Sequence, residues 1–343
     1  MISLQNDYSE GAHPRILALL TQTNLEQSAG YGEDAYCLQA ASHIQQHLNA
    51  PQAAIHFVSG GTQSNTVIIK SVLRPHEAVI AAQSGHIAVH ETGAIEATGH
   101  KVITMPVANS GKLTPEAVMT AVKTHTDEHM VKPRMVYISQ TTEIGSVYSV
   151  AELRALRACC DDLGLYLHID GARLGAALAA NSELSLAIMA EVADVFYIGG
   201  TKNGALLGEA IVIVNPDLQA DFRYGMKQHG ALLAKGRILG LQFVGLFAEQ
   251  VFFECAHHAH EQAMALADGL RDLGCGFLTA PQSNQIFPIL PNAVISALQQ
   301  KFTFYHWQDI HDSDSAVRLV TSWATEPANI KEFLRVTAEL LRK

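Results

Sequence analysis

The sequence predicts an α/β protein, a central and mostly parallel sheet of seven strands with helices on both faces, followed by a smaller C-terminal α+β domain. Three observations predict it. Seven short β-rich runs alternate with helical stretches, the order that a parallel sheet with crossover helices requires. Residues of strong chemical character, Asp170 and Lys202 foremost, follow directly on such runs, and open α/β sheets bind ligands outside their strand ends. Finally, 343 residues at 48% hydrophobic and 16% charged are enough to bury a large core and a satellite.

Taken in order, residues 1–30 form an N-terminal arm, polar up to Pro14 and then helical through Arg15-Ile16-Leu17-Ala18-Leu19-Leu20. A large domain is expected over 31–245. It opens on the glycine-punctuated loop Gly30-Tyr31-Gly32-Glu33-Asp34, and the next helix carries His43 and His47 at i, i+4. Without the glutamate of a His-Glu-x-x-His motif, this pair reads as helix-surface histidines and not as metal ligands. Ala54–Val58 is a strand, after which Ser59-Gly60-Gly61-Thr62-Gln63 opens an apolar helix expected from Ser64 to about Leu73. Glycines at a helix start expose backbone N–H groups and the positive end of the dipole, a seat for an anion such as phosphate. The alternative is a capped core helix. Neither a P-loop Gly-Lys-Ser/Thr nor a Gly-x-Gly-x-x-Gly is present, which disfavours triphosphates and dinucleotides.

Further strands are expected at Ala78–Ala82, Lys101–Met105, Met135–Ser139, up to Asp170, Val195–Ile198 and up to Val214. Residues 217–270 read as long helices bearing Arg223, Lys227, Lys235 and Arg237, on pattern alone a solvated basic face. The small domain, 246–343, has short strands near 277–278, 285–290, 302–305 and 317–320. His257, His258 and His260 are read as solvated helix histidines. Arg318 differs, because an arginine inside the run Val317-Arg318-Leu319-Val320 needs an anionic partner.

The chemistry concentrates in two stretches. Leu165-Tyr166-Leu167-His168-Ile169-Asp170-Gly171-Ala172-Arg173 ends a buried strand in a carboxylate, and Val195-Phe196-Tyr197-Ile198-Gly199-Gly200-Thr201-Lys202 ends another in a lysine. Alone, Lys202 is equally an ordinary surface lysine. Together the acid and the lysine suit pyridoxal 5'-phosphate: the acid keeps the ring nitrogen protonated so that the ring draws electrons, and the lysine bonds the aldehyde. A formal charge of −10 argues against a nucleic-acid or anionic-membrane surface and for a small-molecule partner. Five cysteines without Cys-x-x-Cys spacing, no signal-peptide pattern and no long apolar span lead to the expectation of a cytoplasmic protein with free thiols.

The motifs His168-Ile169-Asp170-Gly171-Ala172-Arg173 and Ile198-Gly199-Gly200-Thr201-Lys202-Asn203-Gly204, with Ser59–Asn65 upstream and Val317–Ser322 downstream, resemble the threonine aldolase family. Within it they are most similar to the branch with protozoan threonine aldolases and bacterial phenylserine aldolases, over nearly the whole chain. The resemblance implies the type I fold of pyridoxal-phosphate enzymes and a lyase that splits a β-hydroxy-α-amino acid into glycine and an aldehyde. It implies a covalent Lys202, Asp170 at the ring nitrogen, His86 stacked on the ring with His90 as a second choice, and a phosphate held by Gly60, Gly61, Thr62 and Thr201. Arg318, Arg173 and Asn6 are implied at the substrate carboxylate. Lys227 and Lys235 are implied to reach a neighbouring subunit's phosphate in a homodimer or homotetramer, whose partner the N-terminal arm would pack against. Glu143 stands where many bacterial members have a histidine near the substrate hydroxyl; it is either a base for that hydroxyl or a residue that orders its loop. A β-eliminating lyase or aminotransferase of the same fold, and a non-catalytic phosphate-binding protein, are the other readings.

Overall fold

The computed structural model describes residues 1–342 of the chain. β1 (Ile2–Ser3) belongs with the C-terminal part, taken last. The seven expected strands form one sheet: β2 (Ala54–Val58), β3 (Glu77–Ala82), β4 (Val102–Met105), β5 (Lys132–Ser139), β6 (Tyr166–Asp170), β7 (Val195–Gly199) and β8 (Glu209–Ile213), in the order β2-β8-β7-β6-β5-β3-β4. Only β8 runs against its neighbours, pairing antiparallel with both β2 and β7. Six strands therefore end on one edge, and the seventh begins there.

Alternate residues of these strands feed two cores. Ile80, Val136, Ile138, Leu167, Ile169, Phe196 and Ile198 pack on one face. Val79, Met135, Tyr137, Val195 and Tyr197 pack on the other. A sheet covered on both faces explains why β3, β7 and β8 are buried along their whole length and read as unbroken apolar runs.

Two elements depart from expectation. The first helix after β2 spans Gly61–Val72, beginning three residues before the expected Ser64, with Gly60 as its N-cap and no side chain capping it. Low glycine propensity hides the first turn in the sequence, yet its amides are left free at the sheet edge. The region expected as long helices is instead a 3-10 turn at Pro216–Leu218 and three helices, Phe222–Gln228, Arg237–Phe247 and Val251–Asp272. Gly230 at φ +67°, a left-handed conformation that ends a helix, marks the first break, and Gln250 at φ +64°, the N-cap of Val251–Asp272, marks the second.

The C-terminal unit is built on β14 (Asp314–Val320), which pairs antiparallel with β10 (Gln285–Ile286), β11 (Pro288–Pro291) and β13 (Tyr305–Asp309). β9 (Gly276–Phe277) pairs with β11, while β1 lies parallel to β12 (Phe302–Thr303). Leu4 sits in this unit's core with Leu266, Phe302, Leu319 and Phe333. The first residues are thus stitched to the end of the chain, while the helix Pro14–Gln22 packs on Arg237–Phe247.

Candidate active site

Two adjoining cavities open at the edge where the strands end. The inner one, about 210 Å³, is walled by the turns that follow β2, β5, β6 and β7, with Gly60, Gly61, Thr62, Thr201 and Lys202 among its residues. The outer one, about 640 Å³, is shared with the C-terminal unit, which contributes Gln285, Tyr305, His306, Trp307 and Arg318. His86, Glu143, Arg173 and Lys202 line both.

Asp170, the last residue of β6, is 4% exposed and held from every side. Its Oδ2 accepts from the Tyr137 hydroxyl at 2.7 Å and Asn65 Nδ2 at 3.0 Å, and its Oδ1 from the Tyr197 hydroxyl at 2.5 Å and the Ala172 amide at 3.0 Å. Burial alone acts to raise its pKa, but attraction to His86 and the hydrogen bonds from Tyr197, Tyr137 and Asn65 outweigh it and keep the carboxyl below its ordinary value. The group is a committed carboxylate. Asn65 also donates to Glu91 Oε1 at 2.9 Å, and the same oxygen meets His86 Nδ1 at 2.9 Å, so one buried chain of contacts fixes the His86 ring relative to Asp170. His168, under Asn65, is pushed down to about 4 by burial and stays neutral.

Lys202 lies beyond the glycine turn after β7, half-buried at the junction of the cavities. Burial, and then the charge of Arg173, push its pKa down, which favours the neutral amine a nucleophile needs. Its Nζ makes no hydrogen bond or ion pair among the described residues and stands 5.9 Å from the centre of the Tyr8 ring. Arg173 is turned back over the sheet edge because Gly171, where a Cβ would collide with the Tyr197 carbonyl, lets the chain double back after β6.

Arg173 grips Asp7 with two bonds, Nε to Oδ2 at 2.7 Å and Nη2 to Oδ1 at 3.1 Å. Asn6, expected at the substrate carboxylate, instead accepts from the Tyr8 amide and the Ser9 hydroxyl, and does not line either cavity. Arg318 projects from β14 opposite Tyr305, its guanidinium carbon 4.8 Å from that ring centre and 5.6 Å from Trp307. No acidic side chain pairs with it among the described residues, and its buried Nε lacks a partner. Burial and the nearby Arg173 depress its pKa, so this cation is held ready for an anion that enters the outer cavity.

Glu143 closes the wall between Lys202 and His86. Its Oε1 accepts from the His86 amide at 2.8 Å and the Ser139 hydroxyl at 2.6 Å, leaving Oε2 without a partner among the described residues. Desolvation raises its pKa. Lys227, over the Tyr31 ring at 4.6 Å, and Lys235 both lie away from the two cavities of their own chain. His47 rests against Phe247 and Phe253, and His258 bonds the Thr325 carbonyl.

The comparisons with known proteins agree with this geometry. The family model for β-eliminating lyases matches residues 11–293. A low-specificity L-threonine aldolase of Pseudomonas aeruginosa is 33% identical over 336 residues, 96% of this chain and 95% of its own. The chain belongs to the threonine aldolase family of β-eliminating lyases. A solved threonine aldolase of Leishmania major matches at a TM-score of 0.98 with 46% identity, over 99% of this chain and 100% of that one. Thermus thermophilus aspartate aminotransferase, at 15% identity and a TM-score of 0.72 over 99% of this chain and 91% of its own, shares the fold alone.

As a member of this family the chain is a pyridoxal-phosphate-dependent lyase, and the donor set fits that cofactor. The helix Gly61–Val72 starts uncapped, nothing lies within 4 Å of a Cβ built on Gly60, and one on Gly61 would meet the Tyr197 hydroxyl at 2.9 Å. A bare, amide-rich corner, a committed carboxylate and an unpaired lysine in one cavity match a phosphate, a ring nitrogen and an aldehyde. Sequence reasoning gave no role to Asp7, Asn65, Glu91, Tyr137, Tyr197 or Glu209. Glu209 alone carried a visible signal, a carboxylate heading the apolar run Ala210–Ile213.

Proposed function

We propose that the enzyme cleaves a β-hydroxy-α-amino acid of the L-threonine, allo-threonine or phenylserine type into glycine and an aldehyde. One arrangement carries this reading: Lys202, Glu143 and Arg173 sit where the two cavities meet, with Asp170 on the inner side and Arg318 on the outer. A substrate reaching across the junction has its carboxylate near cations, its amine near the lysine and its hydroxyl near a carboxyl group.

Bound pyridoxal phosphate supplies an aldehyde that takes up an amine and a ring that draws in an electron pair. Lys202 would hold that aldehyde and Asp170 would face the ring nitrogen. His86, fixed by Glu91, would lie on the ring. Gly60, Gly61, Thr62 and Thr201 would seat the phosphate, with Lys227 and Lys235 reaching the site of a neighbouring subunit in a homodimer or tetramer. Arg318 binds the substrate carboxylate, and Arg173, with one nitrogen free of Asp7, assists. Glu143, through its unpartnered Oε2, accepts the β-hydroxyl proton, so that the oxygen's electrons form the new carbonyl as the Cα–Cβ bond opens. Its raised pKa makes it a stronger base than a solvated glutamate.

Incubation with the diastereomers of threonine and phenylserine, followed by product identification, tests the reading. Glycine plus acetaldehyde or benzaldehyde supports it. A keto acid with ammonia assigns β-elimination, and a keto acid only with an added acceptor assigns amino transfer; either outcome removes the proposal.

A further inference from the structure

The reversed direction of β8 brings one more ionisable group to the cavity floor. Its first residue, Glu209, emerges between Val58 at the end of β2 and Gly199 at the end of β7. The residue is 4% exposed, lines the inner cavity and accepts the Gly200 amide at 2.8 Å. The cavity's other acids are matched, Asp170 by three side chains and an amide and Glu143 by the His86 amide and Ser139, while Asp7, which lines neither cavity, is matched by Arg173. Among the cations, Arg173 is taken by Asp7 and Arg318 stands in the outer cavity. Lys202 has no partner among the described residues. Facing Glu209 are Lys202 from the β7–β8 turn, Asp170 from β6 and the Tyr197 phenol from β7, whereas β2 and the helix after it present only the uncharged Val58, Gly60, Gly61 and Thr62.

We infer that Glu209 is the proton partner of Lys202: its carboxylic acid gives a proton to the lysine amine once substrate has displaced it, and its carboxylate takes that proton back before the lysine attacks again. One O–H bond breaks as one N–H bond forms, Lys202–NH₂ and Glu209–COOH becoming Lys202–NH₃⁺ and Glu209–COO⁻, so the buried cavity keeps its net charge. Desolvation pushes Glu209 up to about 7 while burial pushes Lys202 down, which brings donor and acceptor towards the matched values that favour proton exchange. Glu209 is a positioning residue that acts through Lys202, and its role rests on that lysine carrying the cofactor.

Glu209→Gln keeps the acceptor for the Gly200 amide and removes the charge; Glu209→Asp keeps the charge. The parent and both variants, loaded with cofactor, are titrated from about pH 5 to 10 on the absorption band of cofactor joined to Lys202, alongside the pH profile of kcat. Above about pH 7 Glu209 is ionised, and a nearby carboxylate favours the protonated nitrogen. Its loss in Glu209→Gln is expected to lower the spectroscopic midpoint by about half a pH unit or more, and to move the alkaline limb of kcat with it, while Glu209→Asp restores both to within roughly 0.2 unit. A midpoint that stays put in the loaded Gln variant, or a shift that Asp does not reverse, overturns the inference. In the parent itself, held at about pH 6 where Glu209 starts as the acid, infrared difference spectra on adding substrate are expected to lose a protonated-carboxyl stretch that Glu209→Asp moves in frequency; no carboxyl change overturns it without any need for the Gln variant to fold. A parent with no cofactor on Lys202 sinks the reading beneath the inference, whereas an unmoved midpoint on loaded enzyme sinks the inference alone.

Discussion

Glu143→Gln isolates the proposed base with little disturbance to its surroundings. The amide oxygen of glutamine can keep both Oε1 contacts, from the His86 amide and the Ser139 hydroxyl, and a neutral amide is easier to bury than a carboxylate. Only basicity is lost. Losing a general base typically costs about 10²–10⁴-fold, which at 1.36 kcal/mol per tenfold is roughly 2.7–5.4 kcal/mol of barrier. The lower end applies, because the half-exposed imidazole of His86 stays beside the site as a substitute acceptor. We therefore expect kcat for threonine to fall roughly a hundredfold, and KM to change by less than about threefold since Arg318 is untouched. The pH profile adds a second check. Desolvation holds the Glu143 pKa above its ordinary value and the base works only when ionised, so parental kcat falls as pH drops through that raised value; the acid limb should vanish in the variant. Acetaldehyde release measured across pH in both proteins decides the matter. A variant that cleaves threonine at the parental rate, with the acid limb unchanged, refutes the reasoning and leaves the hydroxyl proton to another group.

Lys202→Ala should leave no cofactor fixed to the peptide carrying residue 202 after borohydride reduction; labelled cofactor on that protein would point to another lysine. Asp170→Asn keeps the shape of the network while removing its charge, so turnover should fall roughly a hundredfold or more with cofactor binding reduced far less, and near-native turnover would exclude the role of Asp170. Arg318→Leu removes a charge-assisted contact of about 1.5–3 kcal/mol, which should raise KM for amino acids roughly 10- to 150-fold; an unchanged KM would place the carboxylate elsewhere. Asp7→Ala strands the guanidinium of Arg173, 14% exposed, and should cost about 3 kcal/mol in denaturant melts, while Asn6→Ala costs little. Burial acts to raise the Asp7 pKa, but the charges of Arg173 and Lys202 and two hydrogen bonds hold it below the ordinary value. The stability it confers is therefore complete above the unfolded carboxylate pKa and is lost as pH falls through the lower folded value, and equal loss of stability at every pH on replacing Asp7 would contradict this.

The strands of the large sheet were legible because each is a short β-rich run bounded by helical sequence, and burial on both faces leaves little polar alternation to confuse the pattern. Asp170, Lys202 and Arg318 were legible for a related reason: a charge that ends or interrupts an apolar run must have a use. The start of the helix at Gly61 was obscured by the very glycines that open its amides to an anion. Partners were harder to foresee. Asp7 meets Arg173 across 166 positions and Asn65 meets Asp170 across 105, distances over which no local periodicity carries information. The direction of β8 decides that Glu209 faces the cavity, and a five-residue apolar run does not declare its direction.

Fate of the Cα–Cβ bond is the most direct test of the proposed cleavage. Threonine or phenylserine labelled with carbon-13 at both positions is incubated with the cofactor-loaded enzyme and followed by carbon NMR. If the enzyme is an aldehyde lyase, the one-bond coupling between the two labels disappears as separate resonances of glycine and the aldehyde grow. Coupling retained in a keto acid product would contradict the account, for the bond assigned to break would still be whole.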